Sequence, residues 1–449
     1  MVRWNLRGDI PTPTFMPDPK ERAVPAGRLG RIARMAALGA RTGASLVLSR
    51  GPEEAAARAA EVLGTMRGLA AKIGQMASYV DGFVPEPQQE AFEQALRSLR
   101  SQAMTSPADA VQRVIEEDLG APLDRLFATF ERVPFASASI GQVHRATLED
   151  GQEVAVKVQH PGVDRAVLAD LDNAGMIEPL LRAMGAGKLG SAGILAEVRA
   201  RFAEELDYRH EAEQQRFFFR NLAGRDGCVI PAILEERSSR RVLTSELARG
   251  LSLEEAAARP EEERAAWIRA LWSFTFGAIL VHRRFNADPH PGNFLFQEGG
   301  RVVFLDFGCV QPIGPEQNAA ARRMHRAAIE RDEGAFASAV AAMLKTRGGD
   351  HERLLTAYTR RCFEPLFSSP FRFTRGYVAG VVQGIQEMKR AMLLGSDGSQ
   401  TPLPPTIALM NRLQFGFYSV LARLDAEVDY AALERPLLRA PGEEAGVDA

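Results

Sequence analysis

Three oxygen-bearing side chains stand close together in the stretch Asn286 to Gly308, NADPHPGNFLFQEGGRVVFLDFG. They are Asp288, Asn293 five residues later, and Asp306 thirteen residues after that, opening the triplet Asp306-Phe307-Gly308. Transfer of a phosphoryl group from ATP needs a divalent cation bridging the phosphates, and hard cations of that kind take oxygen ligands. An Asn and an Asp that converge from neighbouring backbone segments can supply them. Asn293 and Asp306 are so spaced; Asp288, separated from Asn293 by four residues as the catalytic-loop Asp of protein kinases is from its Asn, stands where such an Asp would orient an attacking hydroxyl or water. Between Asn293 and Asp306 the pattern FLF, a Glu-Gly-Gly turn and VVFL predicts a β-hairpin, which would fold the second segment back beside the first.

Elements that could position these groups precede and follow them. ASASIGQVHRATLEDGQEVAVKVQ, opening near Phe135, reads as strand, turn, strand, with Val154, Val156 and Val158 alternating around Lys157. Protein kinases cover the phosphates with a glycine-rich hairpin and bring in a phosphate-binding Lys on a Val-Ala-x-Lys strand. Val154-Ala155-Val156-Lys157 fits that strand; the loop Ala136-Ser137-Ala138-Ser139-Ile140-Gly141-Gln142 has one glycine where the kinase loop has three. RRVLTSELARG at 240–250 reads as a strand entering a linker, where an adenine would meet backbone groups from Glu246 to Ala248. Trp267 to Arg284 predicts a buried helix supporting the catalytic loop. After Gly308 the chain reads as mainly helical, broken by GSDGSQTPLPP at 395–405, with an acidic tail from Pro441. No Ala-Pro-Glu follows Gly308, so nothing supports a peptide-binding platform. Gly187-Lys188 lacks the upstream glycine and following Ser or Thr of a P-loop, and reads as an inter-helix loop.

Composition narrows the class further. A chain of 449 residues exceeds one ordinary core, and 46% hydrophobic with 25% charged content is that of a globular protein. The net charge of −2 gives no general attraction to nucleic acid. Cys228, Cys309 and Cys362 form no C-x-x-C pair, which indicates neither a zinc site nor a disulfide framework and points to a reducing compartment. No window has the ~18 apolar residues of a spanning helix, and Asp9, Pro11 and Pro13 stand where a signal peptide needs its apolar run. The expectation is a cytoplasmic protein whose membrane contact, if any, is peripheral on the cytoplasmic face. Residues 1–26, with five prolines, read as an extended arm. GRLGRIARMAALGARTG, from Gly27, places Arg28, Arg31, Arg34 and Arg41 beside an apolar stripe; it is either a basic amphipathic helix for an anionic membrane or a helix packed on its own domain. Two helices follow over 52–102, broken near Pro85 and Pro87, and a third starts after Ser106-Pro107 with Ser106 as its cap.

Taken together these motifs resemble the UbiB (AarF-type) family of atypical kinase-like proteins, linked to coenzyme Q and other isoprenoid lipids. The likeness runs over roughly Val24 to Leu344. It rests on Lys72-x-Gly74-Gln75, Ser139-Ile140-Gly141-Gln142-Val143-His144, Lys157, Glu205-x-Asp207 with Glu211, Asp288 to Asn293, and Asp306-Phe307-Gly308. The resemblance implies an α+β, two-lobed protein-kinase-like fold with a helical N-terminal extension and a mainly helical C-terminal lobe. The corresponding divisions are an arm at 1–26, the extension at 27–130, an N-lobe with a helical insert at 131–250, a C-lobe at 251–440 and a disordered tail at 441–449. It implies ATP or ADP and Mg2+ as cofactors. Lys157 would contact the α and β phosphates and pair with Glu211, which otherwise reads as a solvated helix face. Ala138, Ser139, Ile140, Gly141, Gln142, Val143, Ala155, Glu246 and Ala248 would line the nucleotide, with Asn293 and Asp306 on the metal. Lys72, Gly74 and Gln75 would form a regulatory signature lying near Glu205 or Asp207, although Lys72 alone reads as a helix-surface charge. The implied activity is an ATPase or atypical kinase acting in isoprenoid-lipid metabolism at a membrane surface. A non-catalytic nucleotide switch and a small-molecule phosphotransferase are the other readings; the latter class has no counterpart of the Lys-x-Gly-Gln extension.

Overall fold

The protein's structure, a computed structural model, describes residues 106–138, 140–165, 204–346, 348–394 and 413–439. The arm, the Arg28 to Arg41 helix, Lys72-x-Gly74-Gln75, the helices expected over 52–102, Ser139, the glycine-rich break at 184–193, the 395–405 interruption and the tail from Pro441 lie outside those residues.

The described chain opens with α1 (Ala108–Leu119) and four strands: β1 (Thr129–Phe130), β2 (Ala136–Ser137), β3 (Gly141–Thr147) and β4 (Glu153–Gln159). Next come α2 (Tyr208–Leu222), β5 (Cys228–Val229) and β6 (Val242–Glu246). Strands β1, β3, β4 and β6 form an antiparallel sheet in that order, with β2 pairing the same edge of β3 as β1. The sheet therefore starts before Phe135, where the sequence reading placed its opening. A two-residue strand is too short to show the alternation by which strands are recognised. Ser106 differs as well. Pro107 occupies the cap position of α1 and no side chain caps it, because Ser106 is engaged elsewhere: its N–H donates to Gln142 Oε1 at 2.7 Å and its Oγ lies 2.9 Å from His160 Nδ1.

Period-two alternation assigns the faces of this sheet. Val154, Val156 and Val158 of β4 and Val242 of β6 are fully buried against Val111 and Ile115 of α1. On the opposite face, Lys157 stands across from Val143 and Leu243, and Ala155 across from Arg145 and Ser245. Gly141 is required by close packing: a Cβ there would lie 2.4 Å from the Val158 carbonyl oxygen and 2.6 Å from the Tyr208 hydroxyl.

The larger core is built around α3 (Glu261–Leu280). This helix is apolar on nearly every side, as a helix buried within a core must be, and Trp267, Ile268, Leu271, Trp272 and Phe276 are all at most 4% exposed. It begins and ends earlier than the Trp267–Arg284 expectation. Pro260 and the acidic run Glu261-Glu262-Glu263 suit a helix N-terminus, and Arg283, with φ +53°, turns the chain into β7 (Arg284–Asn286). Then follow β8 (Phe294–Gln297), β9 (Arg301–Phe304) and β10 (Val310–Pro312). β8 and β9 are the expected hairpin, antiparallel with Phe294 opposite Phe304, and the turn is made by Gly299 and Gly300 at φ +73° and +72°. β5 adds parallel to β9, while β7 and β10 make a separate antiparallel ribbon. The rest is mainly helical: α4 (Pro315–Glu330), α5 (Glu333–Leu344), α6 (Gly349–Cys362), α7 (Arg375–Leu394) and α8 (Tyr418–Leu424). Phe218 and Leu222 of α2 belong to this larger core, so the helix that faces the sheet with one end is anchored beneath it with the other.

Candidate active site

Four chain segments meet on the open face of the N-lobe sheet. Lys157 reaches from β4 to Glu211 on α2, with Nζ 2.7 Å from Oε1 and 2.8 Å from Oε2. The same ammonium lies 4.0 Å from Asp306 Oδ2 and 5.1 Å from the centre of the Tyr208 ring. Burial by itself would lower the Lys157 pKa, but the charges of Asp306 and Glu211 outweigh it and hold the pKa well above the ordinary lysine range. Lys157 is therefore a permanent cation, poised between a buried carboxylate and one that is more open, with side chains 9% and 39% exposed. Burial also pushes the Tyr208 phenol up, so it stays neutral.

Asp306 sits at φ +58°, a left-handed conformation that Asp tolerates better than most residues. Its carboxylate turns back on its own backbone, Oδ1 accepting from the Gly308 N–H at 3.2 Å. Gly308 is wedged between the two carboxylates: a Cβ there would lie 3.3 Å from Asp306 Oδ1 and 3.4 Å from Glu211 Oε2. The catalytic-loop segment is tied to this corner by Asn286, whose Nδ2 donates to the Asp306 carbonyl at 3.0 Å while its Oδ1 accepts from the Asp288 N–H at 3.1 Å. Asn293 Nδ2 donates to the carbonyl and to Oδ2 of Asp288, at 3.0 and 3.2 Å. Those bonds turn the Asn293 amide oxygen away from Asp288. The Leu305 N–H donates to the Asn293 carbonyl at 2.9 Å, which brings the segment leading into Asp306 alongside.

Arg284 and Tyr208 are structural participants that motif reading passed over, and Asn286 is one that it takes only as a departure from the kinase pattern. Asn286-Ala287 stands where protein kinases have His-Arg, yet Asn286 supplies the stitch between the two acidic segments. Arg284, one strand position from Phe285, bonds to Gln214 and lies 3.8 Å over the Phe217 ring, tying β7 to the helix that carries Glu211. Two polar residues in the strand before Asp288 were the available signal.

Not every expected nucleotide contact faces the cleft. The Gln142 side chain points through the sheet to the α1 side, where it is 1% exposed. Its Oε1 accepts from Ser106 N and its Nε2 lies 2.9 Å from His144 Nε2. Strand alternation sends 142 and 144 to one face and 143 to the other, so only the backbone of Gln142 remains with the loop. Glu246 likewise turns its carboxylate outward to the Ala232 N–H at 3.0 Å. Its N–H is bonded to the Ala232 carbonyl, and the Leu247 N–H to Glu153. Among the described residues the Ala248 N–H carries no hydrogen bond. Ile140 is buried, its carbonyl accepting from His160 N at 2.9 Å; Ala138 N–H closes the loop onto the Gly141 carbonyl at 2.8 Å. Val143 and Ala155 lie half-buried on the Lys157 face. Of the regulatory candidates, Asp207 caps α2 and pairs with Arg209, whereas Glu205 Oε1 lies 4.0 Å from Cys309 Sγ, directly after Gly308.

His144 is expected to make the stability of the N-lobe depend on pH. Its Nδ1 must carry the proton, because its partner at 2.8 Å is the Glu131 carbonyl, and Nε2 then accepts from Gln142. Burial holds its pKa below the usual imidazole value. The unfolded chain binds a proton near pH ~6.5 that the native state refuses, so stability should fall as pH drops below ~6.5 toward the depressed native value. Melting curves at about pH 7.5 and about pH 5.5 should show a larger loss for the wild type than for His144→Gln. Equal losses would remove His144 from this account.

The ABC1 atypical kinase-like domain matches residues 98–340, more than half of the chain and all of the segments just described. The chain belongs to the ABC1 atypical kinase-like family. Among its relatives in this family, the rat mitochondrial atypical kinase COQ8B is 34% identical over 327 residues, 68% of this chain and 61% of the relative. The Caenorhabditis elegans mitochondrial atypical kinase coq-8 is 31% identical over 325 residues, covering 66% of this chain and 42% of the relative. The chain thus spans between two-fifths and three-fifths of the length of these two relatives. A solved structure, the complex of Rv3197 with erythromycin from Mycobacterium tuberculosis, superposes with a TM-score of 0.58 at 28% identity, covering 81% of this chain and 90% of that one. The ABC1 match contains the motifs from Ser139-Ile140-Gly141 to Asp306-Phe307-Gly308 on which the UbiB resemblance rests.

Proposed function

We propose that the chain is an ATP-binding, magnesium-dependent atypical kinase-like ATPase that supports ubiquinone or other isoprenoid-lipid metabolism at a membrane surface. The observation that carries this reading is the Lys157 ammonium gripped by both oxygens of Glu211, with Asp306 4.0 Å away. In this reading Lys157 binds the α and β phosphates and Glu211 fixes its direction. Ala138 to Val143 and Ala155 cover the nucleotide, and the adenine edge meets the Glu246 carbonyl and the Ala248 N–H. Asn293 and Asp306 hold Mg2+; their fit rests on the Asn293 amide oxygen being turned away from Asp288 and on the half-open Asp306 carboxylate. Mg2+ ordinarily takes one or two protein oxygens and completes its shell with phosphates and water, so two such ligands suffice. The ion would neutralise charge developing on the transferred group. Asp288, held by Asn293, orients the attacking oxygen.

Among the described residues no helix is long and apolar enough to cross a membrane, and in this reading contact is peripheral, at the cytoplasmic face, with an isoprenoid lipid or quinone precursor as the partner. The joint presence of Lys157, Glu211, Asp288, Asn293 and Asp306 favours catalysis over a nucleotide switch, which has no chemical need for all five. Phosphate release from ATP by the purified chain, with and without anionic liposomes containing a quinone-like headgroup analogue, tests the reading. Magnesium-dependent turnover that rises with liposomes is expected. Nucleotide binding with no turnover under either condition would replace the ATPase by the switch.

A further inference from the structure

The C-lobe contains a cavity of about 130 Å3 that the nucleotide reading does not use. One face of α4 lines it, at Gln317, Ala321, Met324 and His325, the helical spacing of a single stripe. Trp272 and Phe276 of α3 and Phe363 close the other side. Pro312 and Gln317 at one end are exposed, whereas Trp272 and His325 are buried. Gln317 and His325 are eight positions apart on the helix, a rise of about 12 Å.

Glu434 engages two of the polar atoms at the buried end. His325 Nδ1 lies 2.6 Å from Glu434 Oε2, and Trp272 Nε1 donates to Glu434 Oε1 at 2.9 Å. A bound water would need several polar partners, and this wall offers mainly rings and aliphatic groups. An apolar cavity of about this volume accepts a benzene-sized guest.

We propose that this cavity is a binding site for a compact apolar group of about six to eight carbon atoms, either a single ring or the end of a hydrocarbon chain, entering past Pro312 and Gln317. The site also bears on the catalytic segment. Phe285 and Gln311 both line the cavity and are register partners in the β7–β10 ribbon. Phe285 directly precedes Asn286, which bonds to the Asp306 carbonyl. A guest therefore rests against the strand that positions Asp288.

Trp272 in the wall supplies the readout. Bromobenzene and 1-bromohexane, both heavy-atom quenchers, should quench the fluorescence of the full chain saturably, and toluene should relieve the quenching by competition. Quenching by bromobenzene alone assigns a ring, by 1-bromohexane alone a chain end, and by both the shared compact group. Ala321→Phe fills the cavity from a partly exposed helix position and should weaken saturable quenching at least about tenfold, with a melting temperature unchanged or higher. Unsaturable quenching that toluene does not relieve in the wild type would overturn the proposal whatever the variant does; so would undiminished saturable quenching in a folded Ala321→Phe. Neither measurement requires nucleotide, so failure here is distinct from failure of the ATPase reading.

Discussion

Lys157→Met is expected to lower folding stability by about 3–5 kcal/mol and to abolish measurable ATP binding. The substitution takes from the buried Glu211 carboxylate the ammonium that both of its oxygens accept from. Replacing both partners tells whether the loss comes from that carboxylate. A neutral Gln at 211 requires no cation, so Lys157→Met/Glu211→Gln should recover more than half of the stability lost in Lys157→Met, while nucleotide binding stays absent. Urea unfolding midpoints of the two single variants and the double variant measure this coupling. Additive losses would show that the two side chains touch without depending on each other.

Asp288→Asn should leave ATP affinity within about twofold and reduce phosphate release by about 100- to 10,000-fold. Asp288 lies on the Asn293 side of the cluster, accepting from Asn293 Nδ2 at 3.2 Å, while Lys157 pairs with Glu211 and Asp306. An Asn of the same shape can still accept that hydrogen bond, so the loop should hold its form. It cannot take a proton or align an attacking oxygen by charge. Single-turnover phosphate release at saturating ATP separates the step from binding. Turnover at the wild-type rate would assign orientation of the nucleophile to another group.

The parts of the site legible from sequence are those fixed by local spacing. The β8–β9 hairpin was readable because two apolar runs flank Glu298-Gly299-Gly300, and a hairpin of that length must return Leu305 beside Asn293. Lys157 was readable because it lies within an alternating valine strand. Pairing of Lys157 with Glu211 joins residues separated by 54 positions, so spacing could not supply it; the family resemblance did. The direction of Gln142 was missed for a different reason. A motif aligns residue types without regard to face, whereas the strand's alternation commits 142 and 144 to the side of α1. The bonding role of Asn286 was not legible because its partners are a backbone carbonyl and a backbone N–H, which carry no sequence signature. The C-lobe cavity depends on packing between α3, α4 and Phe363, and apolar periodicity reads such positions as core.

The most direct test of the account is calorimetric titration of ATP into the wild type and Asp306→Asn, each with magnesium and with a chelator. Asp306 joins the Asp-Phe-Gly segment to Lys157, and with Asn293 it carries the proposed metal ligands. The account predicts that magnesium tightens ATP binding by at least about tenfold in the wild type and by less than about twofold in Asp306→Asn. An equal magnesium effect in both proteins, with the variant folded, would contradict the assignment of this cluster as the metal–nucleotide site.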